Sequence, residues 1–277
     1  MDKEKILPIV FIGIVVLALI IGYIINGRVD KEYNFKIHFF NAGKADAMIL
    51  EKDGKYMMID TGEEDLQDEI LDYFRQNNIT RLEYLIITHF DKDHVGSASA
   101  IIDNIEIGEV LQSNVPKESS YYTNYLNSLE TKGITPTTVS GDYEISFADL
   151  TTIVNGPTTI YDNNESNNSS LIVKIMDQDN TFLFMGDSEN SRIKDFLTNN
   201  TETYTFLKVP YHGHYQKRLE SLLEEGSFKY AVITSSLEEL EDEETIELLT
   251  KYNIDYYLTR EGSITILSNG KDLIIKQ

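Results

Sequence analysis

The segment Thr88-His89-Phe90-Asp91-Lys92-Asp93-His94-Val95-Gly96 constrains this chain most, because it sets two His and two Asp within six residues directly after the apolar run 82–88. A short apolar run of that kind reads as a buried strand. Side chains at the carboxyl end of a strand in a layered sheet face the crevice where sites form. Four ligand-type groups on one tight loop point to divalent-metal binding, which needs deprotonated N and O donors about 2 Å from the ion. The bland alternative is a solvated polar loop. With only five His in 277 residues, two of them here around two Asp weigh against it. The chain has no cysteine, so side-chain ligands must come from His, Asp, Glu or Asn, and no disulfide staples the fold.

Two later segments repeat the pattern. Residues 182–187 form an apolar run ending in Gly186-Asp187, and residues 207–214 form one ending in His212 and His214. His38, by contrast, lies inside the strand-like segment 35–40 and is predicted to be structural. Further strands are predicted over 47–51, 56–59, 171–176, 181–185, 205–209, 229–234 and 256–258, and helices over 63–76, 189–196, 219–225 and 245–252. Alternating strands and helices in two halves imply a layered α/β domain around a central pair of packed sheets. Composition marks 113–120 and 163–170 as loops. Residues 263–267 and 273–276, joined through Asn269-Gly270, read as a hairpin.

Residues 6–25 are apolar and uncharged. That length spans a bilayer, since about 20 helical residues cross its hydrocarbon core. The expected organisation is a retained membrane anchor over 1–27, a linker over 28–34 and a catalytic domain over 35–277. A single-pass protein at the cell membrane, with the domain outside, follows from the signal-anchor length. The formal net charge of −22 argues against a broad nucleic-acid footprint, and the longest basic stretch outside the metal cluster is Lys217-Arg218.

These motifs, in this order, resemble the metallo-β-lactamase superfamily, and within it the hydrolase domain of ComEC-type competence proteins and their stand-alone relatives. That group carries H-x-D-x-D-H, matched here by His89-Phe-Asp91-Lys-Asp93-His94. The resemblance extends to Asn41-Ala-Gly43-Lys-Ala-Asp46-Ala, Ile59-Asp60-Thr61-Gly62, Asn167-x-x-Ser170, Gly186-Asp187, Lys208-Val-Pro-Tyr-His212-Gly and Leu258-Thr-Arg260-Glu-Gly262. It implies a four-layer αββα fold and a metal-dependent hydrolase holding two divalent ions, Zn or Mn. By the resemblance, His89, Asp91 and Asp187 hold one ion, while Asp93, His94, Asp187 and His212 hold the other. Asp46, Asp60 and Asn167 support the ligands from behind. Asn167 replaces a third His, which favours a harder ion such as Mn²⁺.

Two departures stand out. The usual His-His-Gly-Ser reads Tyr211-His212-Gly213-His214, which leaves open whether His212 or His214 completes the second set. The usual His-Pro further on is replaced by the acidic run 238–244. Asp93, Asp187, Tyr211 and His214 are the candidate catalytic groups. The expected activity is phosphodiester hydrolysis, of DNA or of a cell-wall polymer. A catalytically degenerate scaffold module and a lactonase are the competing readings.

Overall fold

Alternation in β1 (Phe35–Phe39) turns Phe35, Ile37 and Phe39 to one face, where they are fully buried. The neighbours of β1 are β2 (Ala47–Lys52) on one side and β14 (Ile264–Ser268) on the other, both antiparallel. The first sheet continues through β3 (Lys55–Thr61), β4 (Arg81–Ile87), β5 (Glu106–Gln112) and β6 (Thr137–Thr138), with β15 (Leu273–Lys276) at the opposite edge. β14 and β15 form the hairpin expected from Asn269-Gly270. The second sheet runs β13 (Asp255–Leu258), β12 (Tyr230–Ile233), β11 (Phe206–Lys208), β10 (Asn180–Phe184), β9 (Ile172–Asp177), β8 (Leu150–Gly156), β7 (Gly141–Phe147). The computed structural model describes Val15, residues 32–161 and residues 165–277, and Phe35–Gln277 forms one unit.

Three separate apolar cores define the layers. Phe35, Phe39, Phe147, Phe182, Phe184 and Phe206 fill the space between the sheets, with Phe35 and Phe182 edge to face at 5.2 Å. Each such fully buried side chain contributes about 1.5–3 kcal/mol of burial. Behind the first sheet, α1 (Gln67–Gln76), the short α2 (Lys92–Val95), α3 (Ala98–Asn104) and α4 (Ser120–Lys132) cover Ile49, Met58, Leu85 and Ile87. Behind the second, α6 (Asn190–Asn199), α7 (Leu219–Gly226) and α8 (Glu243–Lys251) cover Leu183, Leu207, Ala231 and Ile233. The order is therefore helix, sheet, sheet, helix, as in an αββα fold.

Some expectations need correcting. Residues 165–168, read as loop, form a helical turn, α5 (Glu165–Asn168), whose end is tied down by Ser169 and Ser170 amides donating to the Ser166 and Asn167 carbonyls. The Asn- and Ser-rich composition signals loop, but those same groups satisfy a helix end. Residues 163–164 of that segment lie outside the described residues. The apolar run 6–25, apart from Val15, and linker residues 28–31 also lie outside them. Among the described residues, no helix is long and apolar enough to cross a membrane.

Candidate metal centre

Strand register builds the site. β3 and β4 are parallel with Ile59 beside Ile86, so Asp60, near the end of β3, and Thr88, just after β4, meet. The Thr88 amide and hydroxyl both donate to the Asp60 carboxylate at 2.7 Å. Asp60 in turn accepts from His94 Nδ1 at 2.8 Å, which aims His94 Nε2 into the crevice. β10 and β11 are also parallel, with Phe184 beside Lys208, so Asp187 and His212 emerge side by side. Gly186 turns the chain at φ +52, where a Cβ would press on Ser170 at 3.0 Å. Tyr211 and His212 both adopt left-handed backbone (φ 51 and 52), a conformation that costs non-glycine residues about 1–3 kcal/mol. Strain of that size at a crevice is paid elsewhere in the fold and marks a functional turn.

Asp93, His94, Asp187 and His212 converge so that one ligand atom of each lies within 4.8 Å of the others. His94 Nε2 is 3.3 Å from Asp187 Oδ1. His212 Nε2 is 3.1 Å from Asp187 Oδ2 and 3.4 Å from Asp93 Oδ2. His212 Nδ1 faces the Thr234 carbonyl and hydroxyl at 3.0 Å, and the Thr234 hydroxyl donates to Asp46 at 2.6 Å. Both imidazoles thus have one nitrogen held from behind, the arrangement that orients a histidine toward a metal. His89 Nε2, His94 Nε2, His212 Nε2 and Asp187 Oδ1 are buried without an aligned hydrogen bond. Buried polar atoms are normally paired, and three of these orphans, on His94, Asp187 and His212, belong to one cluster with Asp93 that fits a divalent cation. Lys208 sits wholly buried against Asp46 and donates to the Gly186 carbonyl at 3.2 Å.

Charge follows from this geometry. Burial, the largest single influence, opposes protonation of His94 and His212, but the facing carboxylates, Asp187 first among them, together outweigh it in both. With Asp60 it holds His94 well above the usual histidine value, and with Asp93 it raises His212 to about 9. Burial pushes the Asp187 and Asp93 carboxyls up, yet the facing imidazoles hold both below the usual carboxylate range. His89 is different: burial and repulsion from His94 drive its pKa down.

The His89 side is built differently. His89 Nε2 lies 3.8 Å from Asp91 Oδ1, and its Nδ1 faces the Thr88 and Ser170 hydroxyls at 3.2 and 3.4 Å. Asp91 Oδ1 pairs with the Lys117 ammonium and accepts from the Ser166 hydroxyl. Asn167 donates through its amide to Glu189 at 2.9 Å.

The model of the metallo-beta-lactamase superfamily matches residues 41–235, a span that contains every one of these ligands. The chain belongs to the metallo-beta-lactamase superfamily. It is 26% identical over 206 residues to Recombination protein 2 of Haemophilus influenzae, covering 73% of this chain but 24% of that protein, so it spans about a quarter of that relative's length. This similarity supports the resemblance to ComEC-type proteins. Among solved structures, the metallo-beta-lactamase fold protein YhfI from Bacillus subtilis shares a TM-score of 0.59 at 10% identity, covering 84% of this chain and 99% of that one. The metallo hydrolase Igni18 from Ignicoccus hospitalis gives 0.53 at 15%, covering 88% and 98%. A metal-dependent hydrolase of the superfamily, Tm1679, gives 0.58 at 12%, covering 83% and 98%. At these identities the likeness is one of fold.

Within this superfamily site, His212 stands among the ligand atoms, whereas His214 turns its Nδ1 to Asp242 at 3.4 Å. The Tyr211 ring lies 4.9 Å from that of His214 and lines the pocket. Asp60 stands behind His94, and Asp46 behind His212 through Thr234. His38 bonds Thr265 at 3.1 Å and stacks on Tyr73, away from the site. Lys44 and Lys117 line the pocket beside Lys92, and sequence reasoning missed both in this role. Lys44 lies in a motif read for Asp46. Lys117 follows Pro116 in a loop with no local signal of its destination.

Proposed function

We propose that this chain is a metal-dependent phosphodiesterase, anchored in the cell membrane through residues 1–27, linked by 28–34, and acting at the cell surface through residues 35–277. The observation that carries the reading is the pocket beside the ligand cluster, of about 550 Å³, where Asp93, Asp187 and Tyr211 adjoin the ammonium groups of Lys44, Lys92 and Lys117. An anionic ester fits walls of that kind. A lactone calls for an apolar pocket, and a degenerate scaffold module has no use for four orphaned ligand atoms.

A divalent ion, Zn or Mn, held by Asp93, His94, Asp187 and His212 would supply Lewis acidity to a phosphoryl oxygen and acidify water, and a second would be served by His89, Asp91 and Asp187. The protein's own groups do the rest. Asp60 and the Thr234 carbonyl fix the two imidazoles. Burial, with Glu189 nearby, pushes the Tyr211 hydroxyl up, so it stays protonated at neutral pH and can donate to an ester oxygen. His214, its Nδ1 facing Asp242, packs its ring 4.9 Å from that of Tyr211.

Similarity to a protein called Recombination protein 2 favours DNA as the diester, and the net charge of −22 favours a substrate offering few phosphates at a time, such as a cell-wall polymer. The test is a screen of the purified full-length chain with Mn²⁺ or Zn²⁺ against a chromogenic phosphodiester, a phosphomonoester and a lactone. Metal-dependent diester cleavage faster than the other two is expected. Preferential lactone opening would replace the reading. For the location, protease added to intact spheroplasts should remove the domain, and protection would reverse the sides.

A further inference from the structure

We propose that the Lys117 ammonium competes with a divalent ion for Asp91, so that the two metal positions fill in order, the one at Asp93, His94, Asp187 and His212 first. The inference rests on the metal-site reading above and concerns how that site loads.

Asp91 Oδ1 is the oxygen that faces His89 Nε2, at 3.8 Å. That same oxygen holds Lys117 and the Ser166 hydroxyl, and Lys117 Nζ is itself 3.5 Å from Ser166 Oγ. Lys117 arrives from the loop after β5 and Ser166 from α5, so two independent segments close on one atom. Asn167, also on this flank, donates through its amide nitrogen to Glu189 at 2.9 Å.

At the other position the Lys208 ammonium stands 3.9 Å from Asp187 and is held by Asp46 and the Gly186 carbonyl instead of by a ligand oxygen. An ion there meets two carboxylates, Asp93 and Asp187, already facing two imidazoles. An ion at Asp91 shares Asp187 with the first ion and adds one carboxylate, Asp91, whose metal-facing oxygen is taken by Lys117, the cation it must first displace. Opposite charges at contact distance attract, so the need to displace Lys117 weakens the second ion selectively. Lys117 is 36% exposed and can swing away into the pocket once released.

The experiment uses the full-length chain, stripped of metal and titrated with Mn²⁺ under electron paramagnetic resonance, which counts free ion and reports spin coupling between neighbouring ions. The parent chain should load in two steps separated at least tenfold in Kd, with the coupled signal only in the second. Lys117→Ala and Lys117→Gln, both at a partly exposed position, should tighten the second step about tenfold, equivalent to about 1.4 kcal/mol, and leave the first within about twofold. A second step absent from the parent chain and present in the variants carries the same meaning. Simultaneous loading of both positions in the parent, or variants with an unchanged second step, overturns the proposal. Loading of no ion by any of the proteins instead overturns the metal-site reading itself.

Discussion

The two flanks of the crevice use the same kinds of side chain to different ends. On the His94–His212 flank, each imidazole has a fixed partner behind it, and His94 Nε2, His212 Nε2 and Asp187 Oδ1 are buried with nothing aligned in front, Asp93 alone being part-exposed. On the His89 flank, the carboxylate is 26% exposed and its metal-facing oxygen is shared between Lys117 and Ser166. Backing residues come from strand ends on the first flank and from loops or a four-residue helix on the second. Affinity for a cation therefore depends on support from behind as much as on ligand type.

Asp187→Ala should have the largest effect, because Asp187 is the carboxylate that both His94 and His212 face. Loss of tight metal by at least about a thousandfold and of all measurable hydrolysis is expected, read by elemental analysis of folded protein and by diester turnover. Retention of a full equivalent of ion would remove Asp187 from the centre of the site. Next, Asp60→Asn should weaken the first ion by about 10–100-fold, the usual cost of losing a group that orients a metal ligand, while Ser166→Ala should shift it less than about threefold. Equal effects of the two changes would erase the difference between the flanks.

A third measurement uses a histidine outside the site as a reference. His38 is part-buried and neutral, its pKa lowered to about 4 by desolvation and then by Lys36. Its folded pKa lies below its unfolded one, so the unfolded chain binds the proton more tightly between these values. Stability is full above about pH 6.5 and falls as pH drops toward 4. Discounted for partial exposure, the loss is on the order of 2 kcal/mol. Urea unfolding of the parent and of His38→Gln across this range should show a shallower pH slope in the variant. Parallel curves would locate the acid sensitivity elsewhere.

The smallest effect concerns DNA. Lys44, Lys92 and Lys117 line the pocket, but each is already paired, with Glu239, Glu63 and Asp91. Lys208 is buried on Asp46 and Arg260 is bound to Glu241, so neither adds a free cation at the mouth. DNA affinity measured in Ca²⁺ should fall with salt at a slope of about −1 to −2, one or two phosphates by the counterion rule. Sub-micromolar binding with a slope steeper than about −3 would show several phosphates gripped and make the protein a nuclease first.

What could be read from sequence divides along the same line as the flanks. His89, Asp93, His94, Asp187 and His212 announce themselves because each follows an apolar run, and a strand end fixes direction locally. Phe182–Phe184 and Phe206–Leu207, buried in the sheet, are legible for the same reason. Lys117, Ser166 and Thr234 are silent in sequence, since only topology brings their loops to the crevice. β7 was equally silent: Asp142, Tyr143 and Glu144 are exposed in a row, so its period-two pattern is broken. The disposition of His212 and His214 depends on two left-handed residues that composition does not signal.

The ladder between β10 and β11 acts as a ruler. Phe184 lies beside Lys208 in register, and Asp187 is reached three residues after one and His212 four residues after the other. The separation of these two side chains is therefore set by backbone hydrogen bonds and a few peptide units, with little accumulated error from the rest of the chain. Changes in residues 238–244 reach it through the Asp242 amide, which donates to the Gly213 carbonyl at 3.1 Å, so the ladder keeps the spacing at the centre while the rim acts on the turn that follows His212.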